Sequence, residues 1–83
     1  MNKKSIKAAL EELAVKLSHI GYLPVMNDTV EFSYRKEIEG MTHTVRIIDK
    51  DWVHFILRTA EGEHISHMSV NLEAKDFIHA QLR

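Results

Sequence analysis

The chain has 83 residues, 45% of them hydrophobic and 28% charged, with a net charge of −1 and no cysteine. This length predicts one domain over residues 1–83, and the composition excludes a disordered chain. The lack of cysteine excludes disulfides, zinc–thiolate sites and a cysteine nucleophile, and the small net charge gives no overall attraction to nucleic acid. No apolar run approaches the roughly 20 residues that span a bilayer, so we expect a cytoplasmic protein without membrane contact.

The first element indicated by the sequence is a helix over residues 5–20. Its apolar residues recur at steps of four and three, which places them on one stripe. They are Ile6, Leu10, Leu13, Leu17 and Ile20. Ser5 is suited to cap the start of the helix, Gly21 to end it in a left-handed conformation, and Pro24 to prevent it from resuming.

Four segments then show the two-residue alternation of strands with one buried face. They cover residues 30–35, 43–48, 52–59 and 64–70. Residues 39–40 and 61–62 are both Glu-Gly, a sequence suited to tight turns because glycine readily adopts a positive φ. Short turns between successive strands predict an antiparallel meander.

A final helix is predicted after Asn71, which is a suitable N-cap. Its apolar stripe consists of Ala74, Phe77, Ile78 and Leu82. Each helix has a single apolar stripe, so both must pack on the same face of the sheet. The predicted fold is therefore α+β: a two-layer, four-stranded antiparallel meander with an N-terminal and a C-terminal helix packed on one face.

Turn lengths also predict the register of the sheet. Two-residue turns at 39–40 and 61–62 and a three-residue loop at 49–51 keep apolar residues opposite one another. The predicted pairs are Phe32 with Ile47, Tyr34 with Val45, Ile47 with Val53, Val45 with Phe55, Phe55 with Met68, and Val53 with Val70. On the other face, Arg46 is expected opposite His54.

The face without helices, called the open face below, has an unusual composition for a solvated surface. It combines three arginines, two histidines, three isoleucines and a tryptophan with one acid. Its predicted members are Glu31, Ser33, Arg35, Thr44, Arg46, Ile48, Trp52, His54, Ile56, Arg58, Ile65 and His67. Strand propensity alone favours isoleucine, threonine and tryptophan, but arginine and tryptophan are also enriched at binding hot spots. We expect a contact surface here.

The sequence supports three binding functions. The first is a protein-interaction domain that self-associates as a homodimer through Arg46, Ile48, Trp52, His54, Ile56, Arg58, Ile65 and His67. The second is a nucleic-acid-binding module in which Trp52 stacks on a base and three arginines contact phosphates. These arginines are Arg35, Arg46 and Arg58. The third is a small-molecule pocket between the first helix and the sheet. The residues near it are Tyr22, Tyr34 and His43.

No motif points to catalysis, a metal or a cofactor. His64 and His67 are three residues apart and point to opposite faces of a strand, whereas His54 and His67 share a face on diagonal positions. Neither pair gives a full set of metal ligands. The serines in the strands lack a nucleophile-elbow sequence, and the single glycines form no phosphate-binding loop. We therefore expect a protein that is not an enzyme and has no cofactor.

Overall fold

The computed structural model of the chain describes residues 3–26, 30, 32–48 and 51–82. The helices are α1 (Lys3–His19) and α2 (Lys75–Gln81), and the strands are β1 (Leu23–Pro24), β2 (Phe32–Ile38), β3 (Met41–Ile47), β4 (Trp52–Thr59) and β5 (His64–Asn71). The predictions for Glu31 and for residues 49–50 lie outside the described residues. No helix in the described ranges is long and apolar enough to cross a membrane.

α1 begins before Ser5, so the prediction that Ser5 caps it is wrong. The helix ends where the sequence predicts, in a Schellman motif built on Gly21. This residue has a φ of 97°, and its N–H donates to the Ser18 carbonyl at 3.2 Å. The Tyr22 N–H reaches back to the Leu17 carbonyl at 2.9 Å. These two bonds satisfy carbonyls that the end of a helix would otherwise leave unpaired. The motif turns the chain directly into β1.

The sheet has five antiparallel strands in the order β1-β2-β3-β4-β5. The predicted meander is confirmed, but the prediction of four strands is wrong by one short edge strand. β1 consists of Leu23 and Pro24, which pair with Arg35 and Tyr34 of β2. Two residues are too few to show an alternation of polarity, and proline is compatible with a strand only at an edge or an end. The sequence therefore carried no strand signal at this position.

The predicted register is confirmed in all three hairpins that join β2 to β5. The observed pairs include Phe32 with Ile47, Tyr34 with Val45, Ile47 with Val53, Val45 with Phe55, Arg46 with His54, Phe55 with Met68, and Val53 with Val70. In the β2–β3 turn, Glu39 and Gly40 have φ values of 52° and 78°. Two consecutive positive values match the twist of the flanking strands and fix a two-residue turn.

The β4–β5 turn is one residue longer than predicted. The Thr59 N–H donates to the Glu63 carbonyl at 2.9 Å, so the loop has three residues and ends in a glycine with a φ of 91°. Arg58 then pairs with His64, and a register irregularity follows. A two-residue turn would have paired Arg58 with Ile65. A β-bulge accommodates the extra loop residue, so the predicted pairing between β4 and β5 is regular only beyond the bulge.

Both helices pack on one face of the sheet, as the sequence predicts. The buried core residues are Ala9, Leu13, Leu17, Tyr22, Val45, Val53, Leu72, Ile78 and Leu82. Around them lie partly buried apolar residues, among them the predicted core residues Phe32, Tyr34, Ile47, Phe55 and Val70. The sheet face opposite this core carries no described helix.

α2 begins later than the sequence predicts. Asn71 is the last residue of β5, and its Oδ1 accepts a hydrogen bond from the Glu73 N–H at 2.9 Å. The N-cap of α2 is Ala74, without a side-chain hydrogen bond. An asparagine that bonds two residues ahead forms a turn rather than a helix cap. This turn buries Leu72 and leaves Phe77, a predicted core residue, 46% exposed.

Candidate functional site

The open face contains a groove of about 380 Å³ lined mainly by polar side chains. Three arginines and three threonines contribute to it, together with Ser33 and Ile56. The arginines are Arg35, Arg46 and Arg58, and the threonines are Thr42, Thr44 and Thr59. Guanidinium groups and hydroxyls together favour a ligand that carries negative charge and accepts hydrogen bonds.

The register of the sheet brings these groups together. Arg35 pairs with Thr44, and Thr44 pairs with Ile56, so one row crosses three strands. In the next row Ser33 pairs with Arg46. Directly opposite residues point to the same face of a sheet, and their side chains lie about 5 Å apart. The groove is therefore a consequence of strand pairing rather than of a loop.

Ser33 is buried on this face, with 5% of its surface exposed. Its Oγ has no hydrogen-bond partner among the described residues. A buried hydroxyl without a partner costs free energy, because it has given up its hydrogen bonds to water.

The charges on the open face have mostly one sign. By two-residue alternation along β2 to β5, Glu37 is the acid among the described residues of this face. Arg35 and Arg58 are exposed and form no ion pair within the described part of the chain. Arg46 lies between them, half-buried and engaged in further contacts. The face therefore attracts anions even though the chain as a whole is nearly neutral.

The two histidines predicted for this face are in direct contact. His54 Nδ1 lies 2.7 Å from His67 Nε2 and 3.0 Å from Ser69 Oγ. The two rings have centroids 5.0 Å apart, and the His64 ring lies 6.3 Å from that of His67. The prediction that His64 and His67 point to opposite faces is therefore wrong, because the bulge in β5 pairs His64 with Arg58 and places it on the open face. The diagonal placement predicted from the sequence is correct. It does not separate the rings, because diagonal neighbours on a sheet are within reach of side chains of this length.

The geometry of this cluster limits its chemistry. The contacts of His54 with His67 and with Ser69 use the same ring nitrogen, whereas a nucleophile–base–orienting group relay uses both nitrogens of the base. One proton fits between two nitrogens 2.7 Å apart, so at least one of the two imidazoles is neutral while the contact exists. The described residues include no group of three histidine, aspartate or glutamate side chains arranged to hold a metal ion.

The structure separates the apolar residues predicted for the interaction surface. Ile48 and Trp52 are each 45% exposed, where β3 leads into β4, and Ile65 is 47% exposed near the start of β5. Ile56, a predicted member of this surface, retains only 7% exposure. It lies on β4 between two neighbouring strands, where the stems of flanking long side chains can cover it. Ile56 therefore offers little surface to a partner.

Thr42, Thr59 and Ser69 contribute to the site but were not predicted to do so. The signal for Thr42 was present, because it continues the alternation of Thr44 and Arg46 by one step towards the chain start. The predicted strand began too late to include it. The contact of Ser69 with His54 follows from their direct pairing across β4 and β5.

Two further grooves lie beside α1, on the helix side of the sheet. One of about 510 Å³ separates α1 from β1 and β2, and one of about 670 Å³ separates α1 from α2. Tyr34 lines the first, but Tyr22 belongs to the core, and neither groove includes His43. The three residues predicted for a small-molecule pocket are therefore not brought together in either groove.

Comparisons of the chain with protein families, with curated proteins and with solved structures gave no match. The fold and the site define a small α+β domain with one helical layer and one open sheet face. That open face has a cationic, hydroxyl-rich groove at its middle and an exposed tryptophan at one end.

Proposed function

We propose that this protein is a non-catalytic binding domain whose open face takes single-stranded nucleic acid. The observation that carries this proposal is the groove on the open face that is lined by three arginines and by hydroxyl side chains. A phosphodiester backbone supplies both the charge and the acceptor oxygens that such a groove favours. Contacts of this kind hold a strand without reading its sequence.

The same face offers rings on which bases can stack. Trp52 and Arg58 stand at opposite ends of the open-face side of β4, about 20 Å apart at about 3.3 Å per residue. Between them lie the rings of His54 and His67. Bases of single strands stack on tryptophan and histidine, while arginines contact the backbone. Only a single strand exposes its bases for such stacking.

Self-association through the open face is the second candidate, and it stays a prediction. Exposed Ile48 and Trp52 favour it. The burial of Ile56 leaves this surface with one apolar contact residue fewer than predicted. In a twofold face-to-face dimer, the groove arginines of one copy would also approach those of the other, and like charges across an interface are unfavourable. We therefore favour an anionic strand as the ligand.

The single tryptophan makes the proposal directly testable. We expect an oligonucleotide of about 12 nucleotides to quench the fluorescence of Trp52, with an affinity that falls steeply with salt. Each phosphate contact contributes about −0.7 to the slope of log K against log salt for single strands. Arg35→Ala and Arg58→Ala should each weaken binding and flatten this slope by about 0.7. Lys4→Ala removes an exposed charge from α1, away from the open face, and should leave the slope unchanged.

Three outcomes would contradict the proposal. One is the absence of salt-dependent oligonucleotide binding. Another is equal binding of polyglutamate with the same dependence on Arg35 and Arg58, which would identify an acidic protein as the ligand. A third is a dimer that Ile48→Glu dissociates, which would support face-to-face self-association instead.

A further inference from the structure

β5 forms an unprotected edge of the sheet. It is eight residues long, and no described strand pairs with its outer side. Natural edge strands are usually protected by lysine, proline, inward charges, bulges or a covering element. Residues 64–71 contain no lysine, arginine, acid or proline, and the bulge lies at one end. Residues 66–71 therefore present a regular edge suited to pairing with another strand.

The outward-facing backbone groups of this edge follow from the pairing of β5 with β4. The Leu72 N–H donates to the Asp51 carbonyl, so Leu72 directs its backbone towards β4. In an antiparallel ladder this direction alternates from residue to residue. Even-numbered residues of the regular part of β5 therefore bond inwards, and odd-numbered residues present their N–H groups outwards. The outward residues are His67, Ser69 and Asn71.

The other edge of the sheet offers no comparable partner strand. β1 has two residues, and one of them is Pro24, which lacks an N–H. Head-to-tail addition of β5 to this edge would therefore give little pairing. A second β5 is the complementary edge, which makes the contact twofold and closed.

The sequence of β5 is compatible with antiparallel pairing to itself. With Ser69 opposite Ser69 of a second copy, His67 lies opposite Asn71 and Met68 lies opposite Val70. The outward residues then form the hydrogen-bonded pairs, in which the Asn71 carbonyl, which already accepts a bond from the Ala74 N–H at 3.0 Å, would accept a second. This register keeps apolar side chains together on the helix side and polar ones together on the open face, as pairing across a sheet requires.

The helical layer provides a second contact at the same edge. Lys75 and His79 line the groove shared with α1, whereas Ile78 and Leu82 lie in the core. At 3.6 residues per turn, Phe77 is then on the flank of α2 turned away from α1. The side of α1 that faces away from α2 lies beside β1 and β2. Because α2 is on the opposite side of α1, it covers the part of the sheet that contains β5. Phe77, 46% exposed, lies on that side.

We propose that two copies of this chain pair through their β5 edges into a continuous ten-stranded sheet with all four helices on one side. A twofold axis perpendicular to the sheet at Ser69 generates this arrangement and brings the two α2 helices together at Phe77. Small domains without disulfides commonly gain stability by oligomerising. The pairing uses the edge of the sheet and is independent of what the open face binds.

Amide hydrogen exchange tests the pairing in the unmodified protein. Light scattering should show the mass doubling across about a hundredfold range of concentration. Over the same range, exchange of the outward amides of His67, Ser69 and Asn71 should slow at least about tenfold. The inward amides of Met68 and Val70 should be protected at every concentration. A monomer throughout, or a dimer whose outward amides stay fast, overturns the proposal.

Two substitutions of Ser69 distinguish the contribution of its backbone N–H to the dimer from that of its side chain. Ser69→Pro removes an outward N–H that the monomer does not use, so it should fold and remain monomeric. Ser69→Ala keeps the N–H and should dimerise like the parent.

Phe77→Ser should weaken the dimer by about tenfold through the helical layer alone. If Ser69→Pro does not fold, the exchange pattern and Phe77→Ser decide the question. A Ser69→Pro dimer as tight as the parent overturns the proposal.

Discussion

Tyr22 links the end of α1 to the core. Its backbone N–H closes the Schellman motif on Leu17, and its side chain is 7% exposed. Burial raises the pKa of the Tyr22 phenol above its ordinary value of 10.0, because the charged phenolate would lose its hydration. Folding therefore favours the neutral phenol.

This shift predicts a loss of stability in alkali. Because the folded-state pKa of Tyr22 is above the unfolded one, its contribution to the free energy of unfolding is complete below pH 10 and is lost as the pH rises through the folded-state pKa. Tyr22→Phe has no such group and should lose less stability than the parent between about pH 9 and pH 11. Urea unfolding at each pH measures this, with pH 7 as the reference for both proteins. Parallel curves would contradict the prediction.

Single residues of the open face show what could and could not be predicted from the sequence. Two-residue alternation places Ile56 and Ser33 on this face correctly, because it fixes the direction of a side chain. Exposure is a different property, since it depends on whether neighbouring long side chains lie over the residue. The contact between His54 and His67 likewise depends on their rotamers, which the sequence pattern does not specify.

At the scale of elements, α1 allows a sharp test of the packing. Leu17 has no exposed surface, whereas Val15, two residues earlier, is 71% exposed. Leu17→Ala should lower the free energy of unfolding by about 2–5 kcal/mol, a large part of the total for a small domain. Val15→Ala should change it by less than about 0.5 kcal/mol. Urea unfolding of both variants checks this, and equal losses would mean that α1 packs through a different face.

The elements differ in how strongly the sequence specifies them. α1 and the hairpins from β2 to β5 were predicted because their periodic stretches are long, and because Gly21 after α1 and the glycines of the β2–β3 and β4–β5 turns suit a positive φ. β1 was missed because a two-residue strand has no period. The start of α2 was placed too early because Asn71 suits both a helix cap and a turn. Tertiary packing selects the turn, since it buries Leu72 in the core.

At the scale of the whole molecule, the net charge of −1 averages two unlike surfaces. The open face carries the groove arginines, whereas acids such as Glu11 and Glu12 lie on exposed positions of α1. Total charge therefore argued against a nucleic-acid ligand at the sequence level, although the register already predicted the arginines on one face. The groove itself could not be predicted, because its depth depends on how the strands twist and which stems lie over Ile56.

The two proposals together predict how binding depends on the length of the ligand. Pairing through β5 would place the open faces of both copies side by side on one surface, so a strand that reaches both grooves binds the second as an intramolecular step. In the dimer, an oligonucleotide of about 30 nucleotides should bind at least about tenfold more tightly than one of about 12. Phe77→Ser changes α2 on the helix side of the sheet, so it should remove this gain at concentrations where the variant is monomeric while keeping the affinity for the shorter strand. Fluorescence titration of Trp52 with both lengths measures it. The same gain in monomeric Phe77→Ser would mean that the longer strand simply offers more overlapping sites to one groove.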